Sequence, residues 1–239
     1  MGESSSSVTQ ARSDRSRWFF AVFAGLLLAI VLVGFSPTFY LRPFFRTRPL
    51  PAYLYLHGAL LTAWFGLLFL QSCLVATRNM PMHRRIGVAG ALVAAALVPV
   101  SAMVAVRSIE RFSANNFAPR RIQEIVIGDL LALVLFSVLV ALAVHWRHRP
   151  DWHKRLMTVA CITIIGPAVS RVVSLLSVPP PVLLLLLLLP LPVHDLVTRR
   201  RVHRATAIGL LALVGALFLT QTVAGTPTGQ SVLDALPGR

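Results

Sequence analysis

The sequence predicts an all-α membrane protein, a bundle of about seven transmembrane helices. Three observations carry that prediction. First, 56% of the 239 residues are hydrophobic and only 13% are charged. A soluble domain has about 45–50% apolar and roughly 25% charged residues, so too little polar surface exists here to cover a water-soluble core. Second, several apolar runs reach the roughly 20 residues that an α-helix needs to cross about 30 Å of hydrocarbon. They do not alternate, which argues against the short strands of an outer-membrane barrel. Third, Lys and Arg collect in the short stretches between those runs, where they set orientation and meet anionic lipid. The same placement argues against nucleic acid as a partner, despite a net charge of +15, because no basic stripe with interleaved aromatics is present.

Taken in order, residues 1–17 are polar and Ser-rich and are expected to form a disordered tail. The first span is about 18–36. Arg12, Arg15 and Arg17 precede it as in a signal peptide, but its apolar run exceeds a signal core of 7–15 residues and no small-x-small site follows, so it reads as an uncleaved helix. In 37–53, Pro37, Pro43, Pro49 and Pro51 prevent a long helix, and Tyr40, Phe44, Phe45 and Tyr53 suit the headgroup layer. Spans two and three are about 54–76 and 85–106, followed by a polar loop at 107–122. Spans four and five are about 123–146 and 154–178. Span six, 181–198, holds seven consecutive leucines and then Pro190 and Pro192, which should kink or break its inner part. Span seven is about 204–225, and a polar tail, 226–239, closes the chain.

Seven crossings put the termini on opposite sides, and the charges choose which. With the N-terminus cytoplasmic, the inner segments carry 14 basic residues, at positions 12, 15, 17, 78, 84, 85, 147, 149, 154, 155, 199, 200, 201 and 204. The outer segments carry 8, at 42, 46, 48, 107, 111, 120, 121 and 239, and Arg171 lies within a span. That bias predicts N-in, C-out. Three helices open at the inner face on a histidine and a basic residue: His83-Arg84-Arg85, His153-Lys154-Arg155 and His203-Arg204. The echo suggests stacked hairpins of spans two–three, four–five and six–seven.

Ionisable side chains inside a span are costly and turn toward a partner or a cavity. His57, Asp129 and Arg171 all fall in the outer third by their positions along their spans. As a ligand or proton site, Arg171 would be the fixed charge, Asp129 its counter-ion and His57 the titrating group. The alternative is an Asp129–Arg171 pair that pins two helices, with His57 interfacial. The inner side holds Gln71, His83, His153 and His194. Histidines at one depth on different helices suit bis-imidazole ligation of a haem, with His83 opposite His153 or His194; otherwise they are interfacial residues with polar tips among headgroups. Asp195 has Arg199 at i+4 as a structural partner. Cys73 and Cys161 sit in apolar runs and read as small hydrophobes. No nucleophile elbow, phosphate loop or metal-hydrolase motif is present, so no catalytic residue and no metal ligand is nominated.

The pieces FSPTFYLRPFF, LPAYLYLHGALLTAWFGLLFLQSCLVA, HRRIGVAGALVA, HKRLMTVACITIIGPAVSR and HDLVTRRRVHRA, within about residues 35–215, resemble a family of uncharacterised bacterial multi-pass integral membrane proteins. The LHG…TAW…Q…HRRIG and HKRLM…GPAxxR blocks are the most specific parts. The resemblance implies a bacterial inner-membrane location and marks His57, Gly58, Trp64, Gln71, His83, Arg84, Gly87, His153, Arg155, Pro167, Arg171, Asp195 and His203. It breaks at residue 204, Arg where that pattern has Pro, and in the leucine run. Three functions follow as expectations. The first is a non-enzymatic membrane protein with a polar site for a proton, small ligand or lipid. The second is a b-type haem or quinone redox protein using the inner histidines. The third is a structural or assembly subunit whose partners are other membrane proteins and the bilayer.

Overall fold

The computed structural model describes residues 3–45, 49–176, 179, 182–183 and 187–236. Over them the chain is helical, with no strand among the described residues. Helix α1 is Glu3–Phe35, continued by a π-helical turn Ser36–Tyr40 and a short α2, Arg42–Phe45. Next come α3 Ala52–Ala76, α4 Met80–Ala114, α5 Pro119–His145, α6 Pro150–Ile164 and α7 Gly166–Leu176. The chain ends with α8 Pro190–Arg199, α9 Arg204–Val223 and α10 Pro227–Asp234.

Five segments are long and apolar enough to cross a membrane: Trp18–Tyr40, Ala52–Ala76, Met80–Ala114, Pro119–His145 and Arg204–Val223. The pair Pro150–Ile164 and Gly166–Ser174, bent by 55°, is long and apolar enough only when taken together, so the described residues hold five or six such segments. The chain is thus a multi-pass helical membrane protein. The bend has a local cause that the expected straight span 154–178 leaves out. Pro167 has no N–H to give the preceding turn, and its ring crowds the carbonyl four residues back. The expected span 181–198 falls partly outside the described residues. In its described part the helix is interrupted at Leu189, where a break was expected from the proline pair, and Pro190 and Pro192 open the next helix, α8. Proline in a first turn removes only donors that have no partner there anyway.

Other boundaries also move. Residues 3–17, expected to be disordered, continue α1 toward the N-terminus. No Gly or Pro interrupts them, and extending an existing helix needs no new nucleus. The polar loop 107–122 shrinks to 115–118 because α4 runs on to Ala114 and α5 starts at Pro119. At 35 residues and 1.5 Å per residue, α4 is about 52 Å long and overruns about 30 Å of hydrocarbon, so its polar ends protrude. The expected tail 226–239 contains α10. Thr226 caps it by accepting the Gly229 N–H at 3.2 Å, and Leu233 packs with Ile109, Ile122 and Val126. Buried Gln123 ties that end down, accepting the Gly225 N–H at 2.7 Å and donating to Gln230 at 3.1 Å.

The helix α6 is the centre of the bundle: Leu156, Val159, Ala160, Cys161 and Ile162 have at most 1% exposure. Around it α3 pairs with α1 and α4, and α5 pairs with α6. The two–three and four–five hairpins are therefore present, whereas α8 meets α9 only sparsely. The helix ends sort into two groups. One end gathers Phe19, His83, Trp146, Trp152, His153, His194 and His203, with Trp152 5.4 Å from His203 and Phe19 4.1 Å from His194. The far end gathers Phe35, Tyr53, Arg107, Gln123 and Arg171, with Arg107 over Tyr53 and Arg171 over Phe35.

Lipid tails are as apolar as leucine, so packing in such a bundle depends on close backbone approach at small residues. Gly34 is the tightest case against backbone in α1, since a Cβ there would lie 2.6 Å from the Ala168 carbonyl oxygen of α7. Gly66 has nothing within 4 Å of the same position. Gly34→Ala should therefore lower the thermal midpoint of the detergent-purified protein, while Gly66→Ala leaves it unchanged or slightly higher. Equal tolerance at both sites would contradict the α1–α7 contact.

Candidate functional site

The three outer candidates share an end of the bundle without forming one site. His57 on α3 is half-buried and meets Ser101 of α4, Nδ1 to Oγ, at 3.3 Å. Arg171 places its guanidinium over the Phe35 ring, 4.3 Å from its centre, and donates to the Pro167 carbonyl at 2.6 Å. Asp129 on α5 senses the Arg171 charge, but no hydrogen bond or ion pair joins them. Arg171 also feels Arg111. The expected Asp129–Arg171 pin is thus a loose electrostatic relation, and Arg171 is held instead by an aromatic face and a carbonyl four residues back.

The inner candidates divide. His83, in the first turn of α4, and His153, in the first turn of α6, face each other with ring centres 6.3 Å apart and planes at 88°. Asn79 opens α4 by accepting the Met82 N–H at 3.3 Å, which sets the turn that carries His83. His153 Nδ1 lies 2.8 Å from the Ala143 carbonyl oxygen. A carbonyl only accepts, so that nitrogen carries the proton, and a neutral ring keeps its lone pair on Nε2. The His83 ring lies beside the Gln71 backbone. Two atoms here, His83 Nδ1 and Gln71 Oε1, are buried with no hydrogen-bond partner. His194 does not join them. It stacks on Phe19 at an 18° interplanar angle and meets Phe20 edge-on at 5.3 Å; its ring nitrogens are buried without a hydrogen-bond partner, with Nδ1 3.8 Å from Asp195 Oδ1.

The feature that sequence reasoning missed lies beside this cluster. Arg155 and Asp195 are both fully buried. Asp195 Oδ1 accepts from Arg155 Nε at 2.9 Å and from a terminal guanidinium nitrogen of the same residue. Its Oδ2 accepts from Thr206 Oγ1 at 2.6 Å and the His203 N–H at 3.1 Å. Arg155 also donates to the Asp151 carbonyl and carboxylate at 3.0 and 3.2 Å. Asp151 in turn pairs with Lys154 at 3.3 Å and with Arg199. The expected partner of Asp195 was Arg199 at i+4. Arg199 binds Asp151 instead, because Asp195 points into the core while Arg199 stays at the surface. One signal was legible: Arg155, Val159 and Ile162 fall at i, i+4 and i+7, on the buried stripe of α6. His203 completes the network by capping α9, its Nδ1 accepting the Ala205 N–H at 3.1 Å. Burial, with Arg155 and Arg199 nearby, holds His203 below the usual histidine range and so keeps that nitrogen an acceptor.

Comparison with known proteins finds no matching family model, curated protein or solved structure.

Removing one partner of a buried pair leaves an uncompensated charge, which costs about 3–5 kcal/mol, whereas replacing both with apolar groups of similar volume is often neutral. Asp195→Ala and Arg155→Ala should each sharply reduce the folded, monodisperse yield. The double variant Arg155→Met/Asp195→Leu should recover most of it. Wild-type stability in either single variant would contradict the pairing.

Proposed function

We propose that the chain is a seven-span protein of the bacterial inner membrane, N-terminus in the cytoplasm and C-terminus outside, that holds a small ligand at Gln71, His83 and His153. The resemblance of its motifs to bacterial multi-pass proteins supports the location. The 14-to-8 excess of basic residues on the histidine end supports the orientation. The seventh crossing is supported by two contacts along α1. Arg171 meets Phe35, and His194 meets Phe19, sixteen residues earlier on the same helix. Sixteen residues rise about 24 Å, so the chain travels most of the bundle's height between positions 171 and 194.

One observation carries the functional reading. Gln71 Oε1 and His83 Nδ1 are buried without partners beside a His153 ring whose proton is committed to Ala143. A buried polar group without a partner costs about 1–3 kcal/mol. Here two such groups, from α3 and α4, lie beside the His153 ring of α6, and at least two of the atoms turned toward the site are acceptors. The missing partner therefore brings hydrogens or a metal. The outer groups do not converge on one another: His57 meets Ser101 and Arg171 rests on Phe35, while Asp129 has only its electrostatic relation to Arg171. Extramembrane segments this short argue against a large catalytic domain outside the membrane, and the role proposed here is binding.

Native mass spectrometry of the detergent-purified protein tests this. The wild-type chain should retain a small-molecule mass that collisional activation releases. Gln71→Ala/His83→Ala should lose it, and Arg171→Ala should keep it. A wild-type chain with no retained mass, or one retained equally by all three proteins, would overturn the reading.

A further inference from the structure

We propose that the group held between His83 and His153 is a haem, with the two imidazoles as its axial ligands; this rests on the lone-pair site above and names its occupant. The first argument is metric. A metal–imidazole bond of about 2.0–2.1 Å, with roughly 1.1 Å from nitrogen to ring centre, puts two trans imidazole centres about 6.2–6.5 Å apart. The observed separation is 6.3 Å. Perpendicular planes are compatible with that arrangement, because each ring turns freely about its own metal–nitrogen axis. Two imidazoles joined directly by a hydrogen bond would have centres only about 5 Å apart, from a nitrogen–nitrogen distance of roughly 3 Å.

The second argument is the tautomer. A ligating histidine almost always gives its other ring N–H to a carbonyl, carboxylate or water, which fixes the ring and raises its basicity. His153 does this with Ala143 at 2.8 Å.

The third argument is charge. The lone pairs call for a cation, yet Arg84 and Arg85 adjoin His83, and Lys154 adjoins His153. Those neighbours repel a bare divalent ion. Among the described residues no group of three or more His, Cys, Asp and Glu side chains stands ready to hold one. A haem resolves both demands. Its macrocycle supplies four nitrogen ligands, so the protein needs only two axial ones. Its two propionates carry the negative charge that Arg84 and Arg85 complement.

Position agrees. Both histidines lie in the first turns of long helices, at the end where polar groups meet water. The helices α4 and α6 each pack closely against α5 rather than against one another, and the two rings meet at the end that these helices share. With both axial positions filled, the iron would be six-coordinate and low-spin.

The test is the visible spectrum of the full chain, expressed with added iron and 5-aminolaevulinate and purified in mild detergent, with hemin titration of any haem-free fraction. One haem per chain is expected by the pyridine haemochromogen assay, with sharp α and β bands on dithionite reduction. His83→Ala and His153→Ala should each lose the low-spin spectrum, while His194→Ala and His57→Ala keep it. His83→Met, a ligand that leaves the helix intact, should retain haem with a shifted spectrum. It guards against mere misfolding, and monodispersity on gel filtration checks each variant. A Soret band that survives in both His83→Ala and His153→Ala would overturn the proposal. So would its absence from the wild type even after hemin titration. If the wild type then retains a non-haem mass that the Gln71→Ala/His83→Ala protein loses, the ligand site stands and only haem falls. If it retains no mass at all, both fall.

Discussion

Arg155 and Asp195 put two full charges where neither has any exposure, at the crowded end of a bundle otherwise built from apolar side chains. Such a pair persists only when every lone pair and N–H finds a partner. Here the carboxylate receives two donors from Arg155, one from Thr206 and one from the His203 backbone. Those donors come from α6 and from the start of α9, while the acceptor sits on α8. The pair therefore fixes the relative height and rotation of three helices. His153 lies two residues before Arg155, so the same contact sets the ring that faces His83.

The rest of the bundle is consistent with that anchor. Its interior is closed by small and branched residues at close approach, as where Gly34 meets the Ala168 backbone and Gly209 meets Val159. Polar chemistry is moved to the helix ends. At the far end it is structural: Gln123 holds the last helix and Arg171 rests on Phe35. At the histidine end the Asp195 network is saturated, while His83 and Gln71 keep buried atoms without hydrogen-bond partners. That contrast, one carboxylate satisfied four times over beside imidazole atoms with no hydrogen-bond partner, is what the proposed ligand would resolve.

Much of the fold was legible because hydropathy and length decide it. The spans near Trp18, Ala52, Pro119 and Arg204 follow directly from apolar runs bounded by Pro, Arg and aromatic residues. Helix ends were legible less well. Polar residues such as 107–114 read as loop by composition, yet they extend α4 because a protruding helix keeps its hydrogen bonds in water. The bend at Pro167 and the start at Pro190 turn on where a proline sits within a helix, which composition does not reveal. For the site, the pairing of His83 with His153 was legible from the repeated His–basic step at one depth. The separation of His194, which stacks on Phe19, was not, because the rotation of one helix about its axis depends on tertiary contacts. The Arg155–Asp195 pair was hidden for a related reason. Sequence spacing favours local i,i+4 partners, whereas a buried carboxylate takes its partners from neighbouring helices.

The central claim is that the Arg155–Asp195 pair holds His153 opposite His83. Thiol cross-linking tests it most directly. In a chain with Cys73 and Cys161 replaced by alanine, cysteines are placed at positions 83 and 153 and treated with a short bifunctional thiol reagent. The account predicts efficient intramolecular cross-linking in the folded protein, and its loss when Asp195→Ala is added under conditions where the bundle remains monodisperse. Failure to cross-link with Asp195 intact, or cross-linking indifferent to Asp195, would contradict it.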